Sequence, residues 1–468
     1  MSAPPRSAPD WAALRAAVAG QVVLPGSPGY ERLRRPAVAL FHRTRPRAVV
    51  TCRGSADVAE TLAFARRHGL PVAPRSGGHC FAGRSSTDGI VIDVSPMNSV
   101  EIAGAVVTVG AGTRLGDLYA ALDAGAVTVP AGCGPGVGIA GLALGGGLGV
   151  LGRTHGLTAD LLAGARVVLA DGRVVDCDAQ RDADLFWALR GSGGGQFGVV
   201  TSLRFTTVPA PYVTTFRHGW AYEHAARVIG AWQRWSPDAP DGLAASLLVT
   251  VPAEAGRPPV LNVFGVSIGG ESEAARLLGG LAELVGAAPA ATVMASAPYA
   301  AAKRYLAGLG DEMASAFPPS AHSHSRSEYF AGPLPGDAVA ALVRNLDAAR
   351  RPGQARELDF TPWGGAYTRV PVDATAFPHR DARFLLKHAV AVAADAPGSE
   401  RETARGWLNR SWATVHPWGS GGVYPNFPDP DLTSWADAYH GPNFERLRRV
   451  KAAYDPDAFF RFHQAIPA

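Results

Sequence analysis

Two glycine-rich loops carry the residues best suited to covalent chemistry. Arg75-Ser76-Gly77-Gly78-His79-Cys80 offers an imidazole. Pro130-Ala131-Gly132-Cys133-Gly134 offers a thiol, just ahead of the glycine-dense stretch 136–149. A neutral imidazole and a thiolate are the side-chain nucleophiles best able to alkylate an electrophilic ring such as an oxidised flavin. A cofactor held by both cannot leave, so its pocket need not close over it. Such a site predicts an oxidase able to accept a bulky substrate.

The loops have a further logic. Ser76, Gly77 and Gly78 expose successive backbone N–H groups, which suits a pyrophosphate, and glycine permits close approach and positive φ. Arg75 adds positive charge. Gly136-x-Gly138-x-x-Gly141 matches the dinucleotide fingerprint of a Rossmann fold, but Gly145, Gly146 and Gly147 fall where that fold's helix should run. A glycine-laced loop wrapping a ring is the better reading, with Arg153 and His155 placed near the cofactor.

The elements that must position these loops are legible in part. Residues 46–51, 70–74, 89–93, 105–109 and 126–130 read as strands. Residues 55–68, 114–124 and 182–190 read as helices, with Ser55 as N-cap and Gly69 as stop of the first. Asp171-Gly172 between apolar runs predicts a hairpin of 165–170 with 173–177. From about residue 211 the texture changes. Strands at 244–251, 260–268, 357–367 and 384–393 alternate polar with apolar residues, and helical runs 222–235, 271–285, 336–349 and 399–413 lie between them. That alternation predicts an antiparallel sheet with one covered face and one face open to a ligand. The expected organisation is a first unit at 1–210, a substrate unit at 211–418, and a segment at 419–468 that returns to the first unit.

Bulk properties bound the partners. A chain of 468 residues, 47% hydrophobic and 18% charged, predicts two soluble cores. A formal charge of +4 with no long basic block argues against nucleic acid. The polar N-terminus lacks a signal-peptide pattern, and no run of about 18 apolar residues could span a membrane. The four cysteines, Cys52, Cys80, Cys133 and Cys177, fit neither a disulfide framework nor a zinc site. Cys52 and Cys177 read as small buried hydrophobes. A cytoplasmic location follows. His322 and His324 have no partner carboxylate at suggestive spacing, so no metal is expected.

The two loops, the Gly198-Val199-Val200 segment and the tail around Tyr424-Pro425-Asn426-Phe427 together resemble the berberine bridge enzyme-like family of FAD-linked oxidases, within the vanillyl-alcohol oxidase-type flavoproteins. The resemblance spans nearly the whole chain. It implies an α+β fold, a PCMH-type FAD-binding domain plus a substrate domain with an antiparallel sheet flanked by helices. It implies FAD bonded through its 8-methyl carbon to His79 and through C6 to Cys133. Further cofactor contacts are implied at Arg75, Ser76, Gly77, Gly78 and Ser85; at Pro130, Gly132, Gly138 and Gly141; at Gly145, Gly146 and His155; and at Gly198, Val200, Tyr424 and Asn426.

The family's usual Tyr-x-Asn-Tyr stretch ends here in Phe427, which cannot accept a proton. His388, on a segment similar to the family's substrate-facing strand, and Tyr424 are the candidate catalytic bases. Asp359, Tyr367, Arg369 and His416 are weaker ones. The expected reaction is hydride abstraction from an alcohol, hemiacetal or related C–H of a small molecule, a natural-product or sugar intermediate, with dioxygen reduced to hydrogen peroxide. Three alternatives stay open: a dehydrogenase using another electron acceptor, a flavin-holding cyclase without net redox change, and an inactive ligand-binding protein. Fold analogy does not name the substrate, and the oligomeric state is left undetermined.

Overall fold

The structure, a computed structural model, describes residues 8–254, 256–313 and 321–468. The predicted polar N-terminus lies outside the described residues as far as residue 7.

Two sheets build the first unit. In one, the strands Ala48–Thr51, Ile90–Asp93 and Val72–Arg75 run parallel, and Gln21–Val23 adds antiparallel at the edge. Their valines and isoleucines are buried on both faces, as parallel strands require. The helix Ser55–His68 ends as predicted at Gly69, whose φ of 62° suits glycine. Its start differs from expectation: Gly54 occupies the N-cap. Ser55 bonds Thr201 at 2.9 Å, while Asp57 accepts the Ala19 and Arg53 N–H groups, both at 2.7 Å. No side chain caps this helix: the Ser55 hydroxyl is engaged with Thr201, and Asp57 holds the chain that leads in.

The second sheet is antiparallel throughout, in the order Val100–Ala103, Val106–Gly110, Val199–Thr206, Leu162–Val168, Val174–Cys177. The predicted hairpin is present, turning at Gly172 with φ 89°. The predicted strand at 126–130 shrinks to Val127–Thr128, which pairs antiparallel with Val208–Pro209. The glycine-dense stretch is not wholly loop. It contains the helix Ile139–Leu144, because Ile139, Ala140, Ala143 and Leu144 bury one apolar face. No Rossmann unit results, since the strand before it is not in a parallel sheet.

The third sheet has seven antiparallel strands: Ala291–Pro298, Tyr212–Trp220, Val260–Ser267, Leu243–Val251, Ala355–Pro362, Phe384–Val392 and His322–Phe330. One face packs on the helices Ala225–Trp235, Glu271–Val285, Gly336–Asp347 and Gly398–Val415 through Trp232, Leu278, Leu342, Phe360 and Trp407. Burying such a side chain contributes roughly 1.5–3 kcal/mol. The opposite face meets the first unit through a second cluster that includes Leu157, Tyr329, Trp363, Phe377 and Tyr424. The α+β architecture with an antiparallel, helix-flanked sheet is as expected. The strand predicted at 357–367 ends at Pro362, and Ala366–Arg369 is helical. Both edge strands, and Tyr212–Trp220 beside Ala291–Pro298, were not anticipated.

The tail helix Phe444–Tyr454 places Leu447 and Val450 in the core of the first unit, joined by Phe460 and Ile466. There Lys451 pairs with Asp455 at 2.6 Å, both fully buried, and donates to the carbonyls of Gln196 and Phe460. Removing one partner of such a pair costs about 3–5 kcal/mol, so the tail is firmly seated. Among the described residues no helix is long and apolar enough to cross a membrane.

Candidate functional site

A cavity of about 470 Å³ lies between the glycine loops, the returning tail and the second sheet. That size falls within the range of small-molecule and cofactor pockets. The first wall is the loop after strand Val72–Arg75. Arg75 is buried and turns inward, donating to the carbonyls of Ser85 at 2.9 Å and Leu33 at 2.8 Å and to Ser86 Oγ at 3.2 Å. Burial lowers its pKa to about 10. It lines the cavity but its guanidinium serves the loop, so it offers the cofactor little free charge. Ser76 Oγ donates to Ala111 O at 2.6 Å.

Gly77 and Gly138 meet backbone to backbone. A Cβ on Gly77 would stand 2.3 Å from the Gly138 nitrogen, and one on Gly138 would stand 2.2 Å from Ser76 Oγ. Only glycine fits either position. Gly78 follows with φ 72°, which turns the chain so that His79 enters the cavity. Burial lowers the pKa of His79, with the Arg114 charge a smaller contribution and a bond to the Gly136 carbonyl opposing both. The neutral imidazole that results can donate through one nitrogen and keep a lone pair on the other.

The second wall carries Cys133. Its loop is tied down by Tyr119, whose hydroxyl donates to Gly132 O at 2.8 Å, and by Lys303, whose ammonium reaches Ala131 O, Gly132 O and Cys133 Sγ. Gly141, Leu142 and Leu144 of the short helix continue this wall, and a Cβ on Gly141 would meet nothing within 4 Å. Gly193, Gly194 and Gly195 with Gly198, Val199 and Val200 form the far end.

The tail closes the cavity. Tyr424 Oη accepts the Gly147 N–H at 3.0 Å, and Asn426 Nδ2 donates to Tyr424 Oη at 3.1 Å and to Leu142 O at 2.9 Å. Burial raises the Tyr424 pKa to about 12. Phe427 faces Phe81 with ring centroids 5.9 Å apart. Above Phe427, at 5.3 Å from its ring, sits the ammonium of Lys387, bound to Glu357 at 3.1 Å and Asp359 at 3.2 Å.

Of the sequence-predicted residues, Arg75, Ser76, Gly77, Gly78, His79 and Ser85 come together in this cavity. So do Gly132, Cys133, Gly138, Gly141, Gly198, Val200, Tyr424 and Asn426. Pro130, Gly145, Gly146 and His155 do not line it. Pro130 accepts a bond from Thr158 at 2.6 Å, Gly145 underlies Asn426, and Gly146 abuts Phe377. Arg153 is buried away from it, donating to the carbonyls of Pro237, Trp363 and Ala239.

The candidate base His388 is corrected by the structure. It pairs in register with Leu358, whose side chain is in the helix-covered core, and its Nδ1 lies 2.9 Å from Ser411 Oγ. Burial, aided by Arg326, drives its pKa down to about 3. It faces away from the cavity. Its neighbour Lys387 and the register partner Asp359 take the cavity side, because side chains alternate along a strand. Of the weaker candidates, Tyr367 donates to Gly149 O, Arg369 pairs with Asp241, and His416 with Glu328. Sequence reasoning missed Phe81, Arg84, Lys303 and Lys387. The one local signal was for Lys387, a cation beside His388 on a strand whose other residues are apolar.

The residues fit a flavin. The glycine contact offers backbone N–H groups and no side-chain bulk, Leu142, Leu144 and Leu148 supply an apolar wall, and an imidazole and a sulfur line the space.

Residues 46–178 match the family model of an FAD binding domain, and residues 423–467 match that described as berberine and berberine like. The chain is 32% identical over 455 residues to an uncharacterized FAD-linked oxidoreductase, YgaK, of Bacillus subtilis, covering 96% of this chain and 97% of that one. It is 31% identical over 445 residues to a chitooligosaccharide oxidase of Gibberella zeae, covering 90% and 87%. The solved structure of berberine bridge enzyme from Eschscholzia californica superposes with a TM-score of 0.87 at 25% identity, over 98% of each chain.

Proposed function

Because the chain belongs to the berberine bridge enzyme-like family of FAD-linked oxidoreductases, we propose that it is an oxidase whose flavin is held by two covalent bonds, from His79 and from Cys133. Its substrate is a small natural-product or sugar intermediate, oxidised at an alcohol, hemiacetal or related C–H. The observation that carries this reading is that His79 and Cys133, on loops far apart in sequence, line one cavity.

When bound, a flavin would supply the two-electron acceptor for the substrate C–H bond, with dioxygen as the final acceptor and hydrogen peroxide as its product. The chain's own residues do the rest. Ser76, Gly77 and Gly138 seat the polar end of the cofactor, and the leucine wall excludes water from its ring. Tyr424, acceptor of two N–H bonds and hard to ionise, anchors the tail to the glycine run. Asp359 takes the proton from the substrate's hydroxyl, and Lys387 balances the charge Asp359 carries before it does so. Phe427 and Phe81 form the apolar mouth. The remaining cysteines, Cys52, Cys80 and Cys177, form no disulfide among the described residues, which supports a reducing compartment, the cytoplasm.

The test is to denature the purified protein and follow its yellow colour. Colour stays with the chain in wild type, His79→Ala and Cys133→Ala, and leaves only in the double variant. Colour released from wild type overturns the covalent reading. Stopped-flow reoxidation in air, complete within a turnover, identifies dioxygen as acceptor.

A further inference from the structure

We propose that Lys303 is a positioning residue for the covalent attachment of Cys133, supplying the positive charge that the sulfur requires when it bonds the flavin. The inference rests on the doubly attached flavin proposed above. Lys303 belongs to the helix Tyr299–Met313 of the substrate unit and is 3% exposed. Its ammonium lies 2.9 Å from Ala131 O, 2.6 Å from Gly132 O and 3.5 Å from Cys133 Sγ, which uses its three donors.

The surroundings explain why a lysine stands there. Among the described residues no carboxylate pairs with it. Its other neighbours are the rings of Tyr119 at 4.4 Å and Tyr299 at 5.7 Å, whose faces attract a cation. Burial pulls the Lys303 pKa below its ordinary value, and Cys133 opposes that pull. A buried ammonium without an anionic partner is expensive. Holding two carbonyls in place needs only a neutral donor. What a neutral donor cannot do is offset negative charge on the adjacent sulfur, and the thiolate is the nucleophilic form. The loop is thereby aimed by two carbonyl contacts while the third faces Sγ.

The attachment balances as follows. The Sγ–H bond of Cys133 and the C6–H bond of the flavin break, and one Sγ–C6 bond forms. The two electrons and two protons released reduce one dioxygen to hydrogen peroxide. Lys303 is unchanged at the end.

The experiment compares wild type, Lys303→Met and Lys303→Gln, the last keeping donors to the carbonyls without the charge. Proteins are purified at pH 7 with flavin held through His79, digested, and the Cys133 peptide weighed with and without flavin. Wild type is expected fully linked, and both variants linked in about a tenth of molecules or fewer. Raising the variants to pH 9.5 in air then speeds linking by about thirtyfold, because a free thiol of pKa about 8.5 passes from a few per cent thiolate to mostly thiolate over that range. In wild type, where Lys303 already favours the thiolate, linking quickens far less over that range, whereas a merely structural lysine leaves wild type and variants with the same pH dependence. If Lys303→Met loses its flavin altogether, Lys303→Gln decides. Lys303→Gln fully linked at pH 7, or linking with the same pH dependence as wild type, overturns the role of Lys303 alone. Wild type without a Cys133–flavin peptide overturns the doubly attached flavin together with it.

Discussion

Asn426 donates to the hydroxyl of Tyr424 at 3.1 Å. The same hydroxyl accepts the Gly147 N–H, and the Asn426 amide also bonds Leu142 O. Two of these three contacts stitch the C-terminal segment to the last turn of the short helix that walls the cavity and to the glycine run just after it. Tyr424→Phe leaves the buried Gly147 N–H without its acceptor, at a cost of about 1–3 kcal/mol. The expected result is a lower melting temperature with anaerobic flavin reduction slowed less than about tenfold and an unchanged pH profile. A loss of about a hundredfold or more would make Tyr424 the base instead.

Asp359 and Lys387 are register partners on the cavity side of the large sheet. Asp359→Asn keeps the shape and removes the proton acceptor. It is expected to slow flavin reduction by substrate about a hundredfold or more, while colour still stays with the denatured chain. Reduction at the wild-type rate would clear Asp359 of the base role.

His388 gives the opposite pattern, in stability rather than in turnover. Its folded pKa is about 3, depressed first by burial and then by Arg326, against about 6.5 for the free imidazole. Below pH 6.5 the unfolded chain takes up a proton that the folded chain refuses. The stability His388 contributes is therefore whole above pH 6.5 and is lost as pH falls toward 3, by about 2 kcal/mol between pH 6.5 and 5. His388→Gln removes this contribution, so its melting temperature falls less between pH 7 and 5 than that of wild type. Its anaerobic flavin reduction stays within a few-fold of wild type. A slope equal to wild type, or a hundredfold slower reduction, would contradict the placement against Ser411.

The hairpin at Asp171-Gly172, the helix stop at Gly69 and the alternating strands of the second unit were legible because each rests on local chemistry. The edge strands Ala291–Pro298 and His322–Phe330 were not. An edge strand has one neighbour, and neither sequence alternates apolar with polar residues: Ala291–Pro298 is largely exposed, and His322, Ser323 and His324 drew notice only as a possible metal pair. The short helix Ile139–Leu144 was masked by the glycines around it.

The sequence by itself determined the α+β class and the pair of nucleophiles in glycine loops, since glycine spacing and side-chain type are one-dimensional properties. Only the tertiary structure decided which side of a strand each residue takes. A shift of one position separates His388, turned into the helix-covered core, from Lys387 beside the cavity. It also brought Lys303 to Cys133 from another unit of the fold. No local pattern encodes that meeting, because it depends on how a helix of the large sheet docks against a loop that precedes it by some 170 residues.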